Sequence, residues 1–347
     1  MRFFRCASII CVTALLAGCG GSQLPMSAPG AMPQSRANAT QAERGGSWMR
    51  PEARGEDLLY ASGREDVDVL SYPNGRVVGQ LMFQGGASGL CSDRSGDVFI
   101  LVGSSEFNSN YIYEYAHGGT EPIATLTDSG VPFSCAVDPT TGNLAVANVF
   151  GLGKGFPPGN IAVYADAQGT PTYYSDSDIT IYGFCTYDDT GNLFVTSQRQ
   201  GEPIGELTEG GGSFENITTN LGTYPGSIQW DNGNLVVAAY DGYKGIQSVY
   251  RLKISGTYGT VVGTTALQDW GGKYNGRYLI FAQFWVQGAS IIGPSFFGGH
   301  GLRPSFWHFP SGGKQVKIFR PPGFRMSDAG GAGVTVSVAP SNMRVRK

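Results

Sequence analysis

The sequence predicts an all-β chain, folded as a six-bladed β-propeller of four-stranded antiparallel blades, and three observations lead to this prediction. A turn signal built on Asp and Gly recurs every 42 to 49 residues, a period typical of propeller blades. The chain has 53 Gly and 19 Pro but only 15% charged residues, which favours turn-rich β structure over coiled coils and helical arrays. The two ends of the repeat region each supply half of one further unit. Two β-sandwiches are the structural alternative.

The inner part of each repeat is predicted to be a hairpin of two strands joined by a tight turn. Gly at the turn accepts a positive φ, and the Asp side chain can accept hydrogen bonds from the turn backbone. We therefore expect structural roles for these residues. The turn aspartates are Asp93, Asp138, Asp188 and Asp231, and the turn glycines are Gly96, Gly142, Gly191 and Gly233, with a degenerate copy at Gly276.

A second, outer hairpin follows each inner one, so the repeat region contains six outer hairpins and five complete inner ones. The segment 58–62 is predicted to be a strand that lacks its partner, and the segment 333–340 is predicted to be the missing partner. Their pairing would place Val336 beside Leu59 and close the ring, which leaves no long sheet edge exposed. The outer turns are expected at Gly75, Gly118, Gly169, Gly210, Gly256 and Gly312.

The N-terminus has the pattern of an export signal. Arg2 and Arg5 precede an apolar stretch that is too short to span a membrane, and the segment Leu16–Cys19 follows it. This segment, Leu-Ala-Gly-Cys, resembles a bacterial lipobox. The resemblance implies cleavage after residue 18 and lipidation of Cys19, which would anchor the chain to the bacterial cell envelope. Gly20, rather than Asp, favours the outer membrane or the cell surface.

The predicted organisation is a signal peptide over 1–18, a lipidated flexible tether over 19–57, the propeller over 58–340 and a basic tail over 341–347. The tether is rich in Ala, Ser, Pro, Gly and Gln and has no apolar periodicity. A flexible chain of this length spans roughly 30–35 Å. Trp48 in the tether would dock either on the domain or at the membrane interface, and the sequence leaves both open.

Three cysteines remain after export, namely Cys91, Cys135 and Cys185. Because their number is odd, at least one thiol stays free within a single chain. We expect them to be buried as small hydrophobic side chains, and the sequence leaves open whether two of them pair.

No catalytic residue, cofactor or metal site is predicted. The histidines His117, His300 and His308 belong to no metal-binding spacing, and the chain has no Gly-x-Ser-x-Gly segment. Five positive charges lie outside the propeller in the signal and the tail, so the formal charge of −3 for the chain becomes −8 for the propeller. This charge argues against nucleic acid as a partner.

The Asp-x-x-Gly-Asn-Leu turn resembles the turns of NHL-repeat propellers and of the related gluconolactonase-like propellers. The resemblance extends over nearly all of residues 58–340 and implies a blade type rather than one function. Those families include binding proteins, scaffolds and metal-dependent lactone hydrolases, which hold a divalent ion in the central channel with Glu, Asn and Asp side chains. No matching set can be placed in this sequence.

Two long loops on one face, 150–159 and 283–304, interrupt the repeat. Insertions on one face of a repeat protein often mark its binding surface. We therefore predict a monomeric, non-catalytic module that binds a protein, peptide or glycan there. The alternatives are that the second loop plugs the channel with its own aromatic side chains, or that the chain is a lactonase-like hydrolase or lyase. The possible binding residues are Phe156, Tyr243, Trp285, Phe296, Phe297, His300 and Trp307.

Overall fold

The chain is all-β, with its sheets in a propeller-like arrangement and almost no helix. The computed structural model describes residues 46–63, 65–103, 110–151, 158–199, 201–221, 224–241, 246–268, 283–296, 302–319 and 333–343. These residues form 25 strands, two short 3₁₀ turns at Pro51–Gly55 and Ala165–Ala167, and one short α-helix, α1, at Pro340–Met343. None of the described helices is long and apolar enough to cross a membrane.

The first sheet joins the two ends of the domain. Its strands are β1 (Trp48–Met49), β2 (Leu58–Ser62), β3 (Asp66–Ser71), β4 (Val77–Met82) and β25 (Val334–Ser337). They are ordered β1-β4-β3-β2-β25, and β2 pairs antiparallel with β25 so that Leu59 lies opposite Val336. The pairing of the C-terminal strand with the N-terminal hairpin, which the sequence predicted, is confirmed.

The second and third sheets are regular four-stranded meanders that follow chain order. The second consists of β5 (Gly86–Ser92), β6 (Val98–Gly103), β7 (Asn110–Tyr115) and β8 (Pro122–Asp128). The third consists of β9 (Val131–Val137), β10 (Leu144–Phe150), β11 (Asn160–Tyr164) and β12 (Thr172–Tyr174).

The next two meanders are joined into one eight-stranded sheet, which differs from the separate four-stranded blades predicted. Strands β16 and β20 pair in parallel through two residue pairs only, Thr218 with Tyr258 and Thr219 with Gly259. Strands β19 and β20 have 10 residues each, and the end of their hairpin therefore reaches the outer strand of the preceding meander. The eight strands are β13 (Tyr182–Tyr187), β14 (Leu193–Ser197), β15 (Ile204–Leu207), β16 (Glu215–Thr219), β17 (Tyr224–Asp231), β18 (Asn234–Asp241), β19 (Ile246–Ser255) and β20 (Tyr258–Leu267).

The last sheet corrects the prediction of a long loop over 283–304. It consists of β21 (Trp285–Gln287), β22 (Ser290–Phe296), β23 (Leu302–His308) and β24 (Lys317–Ile318). The first of its turns is at Gly288, with a φ of 58°, and it was missed because it lacks the Asp of the other inner turns. The predicted degenerate turn at Gly276 lies outside the described residues.

The other predicted glycine turns are present. The inner-turn glycines have φ values between 76° and 91°, and the outer-turn glycines have values between 53° and 76°, a region that favours Gly. At Asp188, one carboxylate oxygen accepts hydrogen bonds from the backbone N–H groups of Thr190 and Asn192, at 2.8 and 2.9 Å. Asp231 differs, because its carboxylate accepts from the Asn232 side-chain amide at 3.0 Å, and Asn232 and Gly233, both with positive φ, form that turn.

Residues 46–57 pack on the first sheet, which corrects their assignment to the tether. Strand β1 pairs with β4, and the Arg50 N–H donates to the Val78 carbonyl at 2.7 Å. Arg76 donates to both Glu52 and Glu56 at 2.8 Å. Trp48 is half-buried and docks on the domain. A strand of two residues has no periodicity, so the sequence pattern did not reveal it.

The first strands of the successive meanders surround a central axis. They contact one another in the order β25, β5, β9, β13, β17, β21 and back to β25. Hydrophobic clusters fill the spaces between neighbouring meanders. This packing places one edge strand of every meander at the axis, where the candidate site lies.

Candidate functional site

A channel with a volume of about 850 Å³ runs along the axis between the first strands. Its mouth is formed by the inner turns, which contribute Asp93, Asp138, Asp189 and Gln287. In an antiparallel meander, the turn after the first strand and the turn after the second lie at opposite ends. The described ends of the predicted binding segment 150–159, residues 150–151 and 158–159 between β10 and β11, therefore lie at the opposite end of the sheets from the mouth.

Two indole rings line the channel near the mouth, and both are held in place. Trp230 stacks on Phe194 with 5.7 Å between ring centroids and 10° between ring planes, and its Nε1–H donates to Asp189 at 2.9 Å. The Nε1–H of Trp285 donates to Gln287 at 3.3 Å. Both rings are half-buried, so they offer fixed apolar surface to a ligand that enters the channel.

The mouth carries more acidic than basic groups. Asp93, Asp138 and Asp189 lie there with one guanidinium, that of Arg94, which donates to the Pro139 carbonyl at 2.9 Å. Burial raises the pKa of Asp93, and the neighbouring Asp97 adds to this effect.

Asp138 behaves differently from Asp93, although both belong to inner turns. Burial alone would raise the pKa of Asp138, but hydrogen bonds from Thr141 and Thr140 outweigh burial and hold the pKa below its usual value. The Thr141 hydroxyl donates to Oδ2 at 2.6 Å, and the Thr140 N–H donates to Oδ1 at 2.7 Å. The carboxylate is therefore ionised and already occupied by the turn, which leaves it less free to bind a ligand.

Side chains connect the neighbouring first strands around the channel. Cys91 in β5 and Cys135 in β9 form a disulfide with a Cα–Cα distance of 5.6 Å. Ser134 in β9 accepts from the Cys185 N–H in β13 at 3.2 Å. Thr186 in β13 accepts from the Trp230 N–H in β17 at 3.1 Å.

The same pattern continues at the junction of the last two meanders. The Gln229 amide accepts from the Val286 N–H at 2.5 Å and donates to the Val286 carbonyl at 3.3 Å. Gln283, which precedes β21, binds both the N–H and the carbonyl of Leu90 in β5. A Cβ atom on Gly333 would lie 2.7 Å from the Gln283 amide oxygen, so glycine at 333 is needed for this link.

The disulfide corrects the expectation that all three cysteines are simple buried hydrophobic side chains. Cys185 is free and buried, and burial raises its pKa to about 12. The three cysteines precede the turn glycines of successive repeats by five to seven residues. Because equivalent positions of adjacent repeats meet at the axis, this alignment is the signal in the sequence from which their approach could have been predicted, although the pairing was left open.

The structure separates the predicted binding residues. Trp285 lines the channel, whereas Trp307 is fully buried and donates to the Gln268 carbonyl at 2.7 Å. Phe296 belongs to β22. Outside the described residues lie Phe156, Tyr243, Phe297 and His300, as does the predicted lipidation site Cys19. The second indole of the channel, that of Trp230, was missed because it sits in a regular strand beside an ordinary turn.

Within the described part of the chain, no group of three or more His, Cys, Asp and Glu side chains is placed to hold a metal ion. The carboxylates at the mouth belong to different turns and do not converge on one point.

No family model matches the chain, and no curated protein matches it. Solved structures do resemble it. One is the crystal structure of a nidogen/laminin complex, with a TM-score of 0.58 and 13% identity over 82% of this chain and 99% of that chain. Another is a protein of unknown function from Bacteroides caccae, with a TM-score of 0.56 and 14% identity over 81% of this chain and 99% of that one. A functionally unknown protein from Desulfotomaculum acetoxidans has a TM-score of 0.52 and 13% identity over 82% and 87%. These likenesses extend to the fold alone.

Proposed function

We propose that this protein is an exported, lipid-anchored, six-bladed β-propeller that binds a protein, peptide or glycan ligand and catalyses no reaction. The observation that carries the proposal is the channel of about 850 Å³ whose mouth holds two fixed indole rings. The ligand enters at the inner turns rather than at the opposite face, because the supposed loop 283–304 consists largely of strands.

The blade number rests on the packing between meanders. Six hydrophobic clusters of described residues each lie between two successive meanders, including one between the two halves of the eight-stranded sheet. A cluster between two halves indicates that they face each other as separate blades. We therefore treat the parallel contact of Thr218 and Thr219 with the next hairpin as a bridge between two blades.

Export is supported by the N-terminal sequence and by the cysteine chemistry. The lipobox-like segment ends at Cys19. The pairing of Cys91 with Cys135 also favours an oxidising compartment, where disulfides form and persist.

Lipidation is tested by labelling the full chain with a radioactive fatty acid in a bacterial host that processes lipoproteins. We expect label in the membrane fraction for the wild type and none for Cys19→Ser. Cys11→Ser is the matched control and should retain the label. Equal labelling of Cys19→Ser would contradict the anchor.

Binding is tested by screening the full chain, purified in detergent, against glycan and peptide arrays. For a captured ligand, we expect Trp285→Ala to weaken binding at least tenfold, because the indole forms part of the channel wall. Trp48→Ala is the matched control, since Trp48 is half-buried on the first sheet away from the channel. Failure to capture any ligand, or equal loss in both variants, would argue against the channel as the binding site.

A further inference from the structure

The lining of the channel narrows the class of ligand, and this inference rests on the proposed binding function. The channel has a volume of about 850 Å³, which lies in the range of ligand pockets, about 300–1,000 Å³. A folded domain is too large for this space. An extended peptide can place one side chain and its neighbouring backbone there.

Trp230 presents one open ring face to the channel. Phe194 covers the other face, because the two rings stack with 10° between their planes and 5.7 Å between their centroids. Trp230 is half-buried and lines the channel, so the face turned away from Phe194 is the one that a ligand can reach. An open indole face attracts a cation that lies within about 6 Å of the ring centroid.

The carboxylate of Asp189 lies at the edge of this ring. Its Oδ2 accepts from the indole Nε1–H at 2.9 Å, whereas none of the hydrogen bonds among the described residues is directed at its Oδ1. The Asp189 side chain is exposed and belongs to none of the ion pairs in the same part of the chain. An open indole face therefore lies beside a carboxylate that can accept from a ligand.

The neighbouring turns add negative charge around this pair. Asp93 and Asp138 accept hydrogen bonds from the backbone of their own turns, and neither is part of an ion pair among the described residues. The guanidinium of Arg94 is engaged with the Pro139 carbonyl. Because the lining has three carboxylates and one guanidinium, its field favours a cationic ligand and disfavours an anionic one.

We propose that the channel binds a peptide segment through an arginine side chain, whose guanidinium stacks on Trp230 and donates to Asp189. The planar guanidinium suits both contacts, because it stacks on aromatic faces and its N–H groups match the geometry of a carboxylate. Lysine offers only a compact point charge, so we expect it to bind more weakly. Neutral sugars also pack on indole rings, but they gain nothing from the three carboxylates.

The test uses the full chain, purified in neutral detergent, and fluorescein-labelled hexapeptides of arginine, lysine and citrulline. Citrulline has the shape of arginine without its charge. Fluorescence anisotropy should show that the arginine probe binds at least tenfold more tightly than the citrulline probe, with the lysine probe between them. Raising the NaCl concentration from about 50 to about 500 mM should weaken the arginine probe, because salt screens an exposed ionic contact. Equal affinity for the arginine and citrulline probes, or no binding of either, would overturn the proposal.

Two variants that lose the same charge locate the contact. Asp189→Asn keeps an acceptor for the Trp230 indole but removes the charge, so it should weaken the arginine probe at least tenfold and leave the citrulline probe unchanged. Asp166→Asn is the matched control, since Asp166 is exposed on an outer turn and lies outside the channel lining. It should bind as the wild type does. Equal weakening in both variants would mean that the probe responds only to the overall charge, and the proposal would be wrong.

The glycan and peptide arrays separate failure of this inference from failure of the channel as a binding site. Captured ligands that are rich in arginine, and that bind more weakly to both Trp285→Ala and Asp189→Asn, would support both. If the captured ligands are neutral glycans or acidic peptides whose binding falls in Trp285→Ala, the channel binds a ligand but the inference of an arginine contact is wrong. If the arrays yield no ligand and the arginine probe does not bind, both are wrong.

Discussion

Two junctions between neighbouring sheets are built differently. The second and third sheets follow each other in the chain, are connected by two residues, 129 and 130, and are linked by the Cys91–Cys135 disulfide. The ring closes instead through β25, which joins residues about 270 positions apart without a covalent link. There the Ser62 hydroxyl and the Gly333 backbone exchange hydrogen bonds, and Val334 and Val336 pack against Leu59 and Ile292.

The two junctions should differ in how easily they open. The second and third sheets are close in sequence and are joined by the disulfide, so the strands at this junction remain close to each other even in the unfolded chain. The closing junction depends on strand pairing and packing between segments about 270 positions apart, which lie far from each other in the unfolded chain. We therefore expect closure to limit the stability of the ring.

The largest effect is expected when the closing strand is disrupted. Val336 is 2% exposed, and Val336→Asp would bury an unpaired charge in the cluster that closes the ring. This change should destabilise the domain by several kcal/mol, on the order of 4, and leave most of the chain unfolded at 37 °C. Circular dichroism and limited proteolysis would measure it.

The matched control is Val338→Asp, two residues further along, where the side chain is half-buried at the channel. It should fold with only a small loss of stability. If Val336→Asp melts as high as Val338→Asp, then β25 does not hold the ring closed.

The next effect concerns the junction that carries the Cys91–Cys135 disulfide. The disulfide joins residues 44 positions apart. In the chain-entropy model, a cross-link over a loop of this length stabilises the folded domain by about 4 kcal/mol at most. The double variant Cys91→Ala with Cys135→Ala should lower the free energy of unfolding by about 2–4 kcal/mol, measured by urea denaturation. Cys185→Ala, which removes a free thiol at an equivalent position, should lower it less. Equal losses in the free energy of unfolding would show that packing at these positions, rather than the cross-link, stabilises the domain.

The parts of the fold that could be predicted from the sequence are those with a strong residue preference or a countable repeat. Turns at Gly96, Gly142 and Gly191 were predictable because a positive φ has a strong residue preference. The pairing of β2 with β25 followed from counting half-units. The turn at Gly288 was missed because only one of its features, the glycine, was present, and the strand Trp48–Met49 was missed because two residues have no periodicity.

The candidate site was harder to predict than the fold. The channel is lined by side chains from several repeats, such as Trp230 and Trp285. Which side chains lie near its mouth depends on which end of each strand leads into an inner turn. Only the cysteines, at equivalent positions of successive repeats, offered a signal in the sequence, and their pairing was left open.

A smaller effect is expected at the junction of β17 and β21, which has hydrogen bonds but no disulfide. Gln229→Ala would remove both bonds to the Val286 backbone and leave a buried N–H without a partner, which should lower the free energy of unfolding by about 1–3 kcal/mol. Gln287→Ala is the control, because it removes only the bond from the Trp285 indole. If the two variants lose equal stability by urea denaturation, Gln229 does not link the blades.

The smallest effect concerns a charge at the closing junction. Asp68 in β3 faces Asp66 and Gln80 in its own sheet and Arg303 in the last sheet. The Gln80 amide donates to Asp68 at 3.0 Å and to Asp66 at 2.8 Å. Burial, with the charge of Asp66 adding to it, raises the pKa of Asp68 from 3.8 to about 7, although Gln80 and Arg303 act in the opposite direction.

The folded chain therefore holds a proton at Asp68 between about pH 4 and pH 7 that the unfolded chain has already lost, so the free energy of unfolding should fall as the pH rises through this window. Asp68→Asn should remove that fall. At pH 8 it should be more stable than the wild type by on the order of 1 kcal/mol, and near pH 4 the two should be equal.

For Asp138 we expect the opposite pH dependence. The lowered pKa of Asp138 stabilises the folded chain at neutral pH, and this contribution is lost as the pH falls, so Asp138→Asn should lower the free energy of unfolding near pH 7 more than near pH 4. Urea denaturation between pH 4 and pH 8 measures both, and a wild-type slope in Asp68→Asn would mean that the pH dependence arises away from the closing junction.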